Sequence, residues 1–132
     1  MSNETELNDL IDRCSCAIDI AKVVHYMYKD LYKYSKENSK QYQWYKYNYE
    51  NNEWTMIRDG FKLRYHIPVE VCQKFMERSS YWYIESTRAG VDDENKGRFQ
   101  ERNYKLLKIA LQLKNSTYMN SIMKECTYLF EK

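Results

Sequence analysis

The sequence predicts an α+β fold: a mostly helical single domain with one antiparallel β-hairpin. Three observations carry that expectation. Over most of the chain, apolar residues recur three and four apart, the period of a helix that buries one face. Near the middle that period gives way to Trp44, Tyr45, Tyr47 and Tyr49, a polar Asn51-Asn52 tip, and Trp54. Aromatic runs suit a pleated, half-buried surface, and asparagines tolerate turn dihedrals, so this stretch reads as a hairpin followed by a second turn at Asp59-Gly60. Finally, 132 residues suffice for one hydrophobic core but not for two.

Taken in order, residues 1–15 read as an acidic helix or arm. Leu7, Leu10 and Ile11 fall at helical spacing, and Ser2 or Asn3 can cap the first turn. The main body is expected over 16–132. A long helix is predicted over 16–34, with Ile20, Val23, Val24, Met27, Tyr28, Leu31 and Tyr32 on its apolar face. A polar break at 35–40 leads into the hairpin. Pro68 suits the first position of a helix, because its missing donor costs nothing there, so a helix is expected over 68–88. Its stripe comprises Val71, Cys72, Phe75, Met76, Ser79, Trp82 and Tyr83. Residues 89–97 hold two of the three glycines among charges and read as an exposed loop. Helices over 98–113 and 117–130 close the chain, with Asn115 or Ser116 as the cap between them.

The net charge of +2 is too small to identify a nucleic-acid partner, so its distribution matters more than its total. From Met1 to Ala21, Glu4, Glu6, Asp9, Asp12 and Asp19 face Arg13 alone. From Lys22 to Asn48, six lysines face Asp30 and Glu37. The longest apolar run is only a few residues, so no membrane span or membrane partner is expected. The acidic, polar start lacks the basic and apolar segments of an export signal, which places the protein in a cytoplasmic or nuclear setting. Cys14, Cys16, Cys72 and Cys126 are then expected as thiols. The 14 tyrosines reflect either A+T-rich coding or selection for stacking surfaces.

Several chemistries find no support. Gly60, Gly90 and Gly97 are too scattered to cradle a phosphate, so no nucleotide cofactor is expected. His25 and His66 have no cysteine or serine at a nucleophilic spacing and read as structural or surface histidines. A four-thiolate zinc site needs two close pairs, and only Cys14-x-Cys16 is close. Asp92-Asp93-Glu94 reads as solvated charge. The chain is therefore expected to be no enzyme and to carry no cofactor or metal.

What remains is an interleaving of cations and rings. Cations neutralise phosphates and flat rings stack on unpaired bases, so a hairpin can present both to a single strand. Trp44 and Trp54 are expected in the core. Lys36, Lys40, Tyr45, Lys46, Tyr47, Arg58, Lys62 and Arg64 are the candidate nucleic-acid-binding residues.

An ordered set of short motifs adds a resemblance. Asp19-Ile20-Ala21 opens a helix; Trp44, Tyr45, Tyr47 and Trp54 follow, then Leu63-Arg64 with Ile67, then Lys105, Lys108, Ile109 and Leu113. The set closes with Ile-Met-Lys-Glu-Cys-x-x-Leu-Phe over Ile122 to Phe130. Over roughly Asp19 to Phe130 the chain resembles the domain that precedes the helicase motor in poxvirus-type primase-helicases of large DNA viruses. Pro68 departs from the pattern, which has a serine after the isoleucine. In that family the domain lies between a primase and a hexameric ATPase, where it forms a collar that helps oligomerise subunits or guide DNA. The resemblance implies a non-catalytic accessory module of viral DNA replication, located in host cytoplasm or nucleus. Its implied partners are single-stranded DNA and replication proteins or other copies of itself. The alternative is a module that binds a host or viral protein through the helix from Pro68 to Tyr83.

Overall fold

The computed structural model describes residues 2–36, 40–90 and 93–132. The element order is α1 (Ser2–Asp12), α2 (Ala17–Tyr28), β1 (Tyr32–Ser35), β2 (Gln43–Asn48), β3 (Glu53–Ile57), α3 (Phe61–His66), α4 (Cys72–Arg88), α5 (Asn95–Gln112) and α6 (Ser116–Leu129). The fold is α+β and mostly helical, as expected. The β2–β3 hairpin turns where the asparagines stand. Asn51 Oδ1 accepts from the Glu53 N–H at 3.1 Å, and Asn52 takes a left-handed φ of 55°.

The sheet has three strands rather than two. The helix expected over 16–34 stops at Tyr28, and residues Tyr32–Ser35 pair antiparallel with β2 in the register Tyr32↔Lys46 and Tyr34↔Trp44. Tyr28 and Tyr32 stand four apart, a spacing that suits a helix face. The alternation of Tyr32, Lys33 and Tyr34 suits a strand equally well, and pairing with β2 decides it. The sheet order is β1-β2-β3, and Phe130 to Lys132 run parallel to β1, with the Tyr34 N–H donating to the Phe130 carbonyl at 2.9 Å.

Pro68 does not start a helix. The chain is already helical from Phe61, and Pro68 lies in a π turn, Ile67–Val71, that joins α3 to α4. A proline inside a helix lacks its N–H and crowds the carbonyl four residues back, and the wider turn relieves both problems. The loop expected over 89–97 is shorter, because α5 begins at Asn95, whose N–H bonds the Asp93 carboxylate at 2.8 Å. Val91 and Asp92 of that loop lie outside the described residues. Asn115 caps α6 as expected, its Oδ1 accepting from the Tyr118 N–H at 2.9 Å.

One core runs through the molecule. Ile20, Val23 and Val24 of α2 meet Ile122 and Cys126 of α6, while Phe75 of α4 and Leu106 and Ile109 of α5 form the other side. The α1 helix is tied into it. Ile11 and Cys14 are fully buried, and Asp12 accepts from Arg78 Nη2 at 2.6 Å and Trp82 Nε1 at 3.1 Å. Of the α4 stripe, Val71, Cys72, Phe75 and Ser79 are buried. Met76 and Tyr83 instead face solvent, because they flank the α4–α5 seam on its outer side. Trp44 anchors the sheet on the core through Phe130, 5.4 Å away between ring centroids. Its indole lies over Gly60, where a Cβ would stand 2.9 Å from Trp44 Cδ1 and where φ is +65°. Glycine is required there on both counts.

Candidate nucleic-acid groove

Strand alternation divides the aromatic and basic residues between two faces of the sheet. Registers Tyr32↔Lys46↔Thr55 and Tyr34↔Trp44↔Ile57 define the inner face. Lys33↔Tyr45↔Met56 and Tyr47↔Trp54 define the outer one. Trp54 is therefore not a core residue. It lies half-buried on the outer face, edge-on to Tyr47 at 5.1 Å. Over the same face the Lys33 ammonium sits 4.6 Å from the Trp54 ring centroid and 5.6 Å from that of Tyr45. Both Lys33 and Tyr45 are only 8% exposed, which leaves little of either to meet a ligand.

The candidate residues separate accordingly. Tyr45 and Tyr47 are on the outer face, where the Tyr47 hydroxyl donates to Asn52 Oδ1 at 3.1 Å. Lys36 and Lys40 flank residues 37–39, which lie outside the described residues. Lys36 rests its ammonium 5.5 Å from the Tyr42 ring centroid. Arg58 is exposed in the turn after β3. Lys46, Lys62 and Arg64 come together around α3. Arg64 is already engaged, donating to Asn120 Oδ1 and, at 3.1 Å, to Ser116 Oγ, so it clamps the start of α6 to α3.

Lys46 and Lys62 border two adjoining hollows. One, of ≈ 480 Å³, has an almost wholly apolar lining that includes Phe61, Tyr65, Pro68 and Met119. The other, of ≈ 510 Å³, runs past Tyr47, Asn48, Tyr49 and Glu50 at the end of β2. Tyr32, Lys46, Lys62 and His66 line both, so the two form one trough. It passes between the inner edge of the sheet and α3.

A hydrogen-bonded network makes its floor. His66 Nδ1 lies 2.5 Å from Glu70 Oε1, and its Nε2 lies 3.1 Å from the Tyr32 hydroxyl. The Tyr28 hydroxyl donates to the same Glu70 oxygen at 2.8 Å, and its ring stacks on His66 at 4.5 Å. Burial, reinforced by Glu70, pushes both the Tyr28 and the Tyr32 phenols above their ordinary range. They stay protonated, and the network holds α2, β1 and the α3–α4 junction in fixed relation.

Phe61, Tyr65, His66, Tyr32 and Met119 were not among the sequence candidates. The available signal was the spacing of Phe61 with Tyr65 and of Lys62 with His66, each pair four apart on one helical turn. Reading the helix from Pro68 hid it.

The cysteines do not converge. Burial, then the Asp19 charge, pushes the Cys14 thiol up to about 12, and burial raises Cys126 further, so both behave as inert apolar groups. Cys72 is also buried, its Sγ donating to the Ala110 carbonyl at 3.4 Å, while Cys16 is exposed. Among the described residues, no cluster of three or more histidine, cysteine or acidic side chains is placed to hold a metal. No helix among them is long and apolar enough to cross a membrane.

No known family profile matches the chain. It is similar to a protein of Acanthamoeba polyphaga mimivirus named "Putative helicase L207/L206", with 31% identity over 107 residues. The match covers 81% of this chain but only 10% of the mimivirus protein, so the likeness is to one segment of a much longer viral protein that carries helicase in its name.

Proposed function

We propose that this chain is a non-catalytic accessory module of a viral primase-helicase, contacting single-stranded DNA or neighbouring subunits during replication. One observation carries the DNA reading: Lys46 and Lys62 stand over a single trough flanked by aromatic rings. Mobile ammonium groups neutralise phosphates without selecting sequence, and rings accept any base, which is what a protein that guides a moving strand requires. The helicase-named relative supports the replication setting.

The test is anisotropy of a labelled single strand titrated with the protein across a salt series. Affinity should fall linearly on a log-log plot, and Lys46→Gln with Lys62→Gln should flatten the slope by about 1.4, since each neutralised phosphate on a single strand contributes about 0.7. Absence of salt-dependent binding removes the DNA reading.

A second reading has its own observation. Val69, Met76 and Tyr83 on one side of the α4–α5 seam and Leu107 and Leu111 on the other are all exposed apolar residues. The bonds from Cys72 to Ala110 and from Ser79 to Asn103 set the two helices antiparallel, which brings Met76 level with Leu107. This surface suits a host or viral protein partner, whose association would be insensitive to salt.

A further inference from the structure

The trough is not uniform along its length, and the asymmetry carries a more specific assignment. The end near β2 is polar, with Asn48 and Glu50 in its lining, whereas the end under α3 is almost entirely carbon. Phe61 and Tyr65 stand one helical turn apart on its wall, 55% and 68% exposed, with Met119 of α6 opposite. Rings so exposed on a helix contribute little to the core. These two rings do not stand singly: with Pro68 and Met119 they line one contiguous apolar hollow, and such grouping is what marks a ligand groove. The hollow of ≈ 480 Å³ lies within the roughly 300–1,000 Å³ typical of small-molecule sites.

Charge decides which ligand. An apolar pocket at the mouth of which two lysines stand is complementary to a group that is flat and apolar at one end and anionic at the other. Lys46 and Lys62 line both the apolar hollow and the polar one, so an anion held by them has its apolar end within reach of Phe61 and Tyr65. Arg64 closes this pocket structurally by tying α3 to α6, which fixes the distance between Tyr65 and Met119. The network of Tyr32, His66 and Glu70 holds the floor rigid.

We propose that the apolar hollow is a base pocket: it accepts one unpaired nucleobase of a bound single strand, turned out of its stack against Phe61 and Tyr65, while the phosphates beside it rest on Lys46 and Lys62. The inference rests on the DNA reading above and adds to it a fixed position for one nucleotide. A strand held in this way is registered on the protein and not merely attracted to it. The pocket sets no sequence, since its walls are carbon, and it takes a purine or a pyrimidine by stacking.

The experiment compares two labelled DNA strands of equal length at low salt, one complete and one built entirely of abasic sugars, against the whole chain and the Phe61→Ala, Tyr65→Ala double variant. Both substituted side chains are exposed, so the variant is expected to fold, and circular dichroism checks this. The complete strand should bind the unsubstituted protein about tenfold or more tightly than the abasic one, the effect expected of one well-stacked base. The variant should lose that advantage while binding the abasic strand as before. Equal binding of the two strands, with the lysine variants still weakening both, overturns the base pocket and leaves the phosphate groove standing. Salt-independent binding, or none, overturns the groove and the pocket together.

Discussion

The outer face of the sheet and the trough beside α3 contain nearly the same residue types and use them oppositely. On the outer face, Lys33 lies between Tyr45 and Trp54 and is 8% exposed, so cation and rings satisfy one another. In the trough, Lys62 is exposed and Phe61 and Tyr65 have their faces in solvent. Interleaved bases and aromatics are thus not in themselves a binding surface. What distinguishes the two is where the neighbouring backbone runs. The tail residues Phe130 to Lys132 pair along β1 and bring the Lys132 ammonium to 5.8 Å from the Trp54 ring centroid. Over the trough, by contrast, α3 lies back from the sheet and leaves a gap.

The comparison is broken most forcefully by stability. Trp44→Ala should cost about 3–5 kcal/mol, the range for removing a large aromatic side chain from a packed core. Trp54→Ala, on the outer face, should cost about 1 kcal/mol, on the order of a cross-strand aromatic pair. Gly60→Ala falls between them, at about 2–4 kcal/mol, because a left-handed φ of +65° is strained for alanine and the new methyl meets the Trp44 ring. Urea denaturation of the three variants gives the order directly. A Trp54→Ala cost equal to that of Trp44→Ala would make the outer face a second core.

Much of this was legible in the sequence and some was not. The hairpin tip, the Asn115 cap and the buried face of α2 at Ile20, Val23 and Val24 follow from local chemistry and are found as expected. The third strand is not local information. Tyr28, Tyr32 and Tyr34 fit a helix and a strand equally, and only the partner β2, about ten residues later, selects the strand. The same holds for the π turn, which lets a proline sit where local rules place a helix start. Those two elements decide which rings share a hollow with the lysines. Of the candidate rings, Tyr45 lies on the face opposite Lys46, while Tyr47 borders the polar hollow together with Lys46 and Lys62. The rings that share their trough, Phe61 and Tyr65, lie on a helix that local reading began seven residues too late.

Binding sharpens the same contrast by a smaller amount. Lys62→Gln should reduce the salt slope of single-strand binding by about 0.7, the share of one phosphate contact. Lys33→Gln should leave that slope unchanged, because its ammonium is already covered. Its effect should appear in stability instead, as a loss of about 1 kcal/mol from the contact with the Trp54 and Tyr45 rings. A Lys33→Gln variant that changes the salt slope would show that the outer face opens to DNA.

The smallest effect concerns how firmly the tail covers the sheet. His25 of α2 stands edge-on to Phe130, with ring centroids 4.8 Å apart. Burial, followed by the charges of Lys29 and Lys132, holds its imidazole below the ordinary value of 6.5, against an opposing pull from Asp30. Between that depressed value and 6.5 the folded chain binds fewer protons at this site than the unfolded chain, so stability rises as pH climbs through the window and is complete above 6.5. Asp19 acts elsewhere. Burial raises its carboxyl, but hydrogen bonds from Ser15 and Cys16 outweigh this and lower it, so its contribution is lost only below 3.8. Thermal melts between about pH 5 and 7 should therefore show a rise that His25→Gln abolishes. Lys132→Gln should shrink it, since Lys132 is one of the charges that depress the imidazole. If Lys132→Gln leaves the rise intact, the tail does not hold its ammonium over this part of the sheet, and the shielding that separates the outer face from the trough must come from the Lys33 contacts alone.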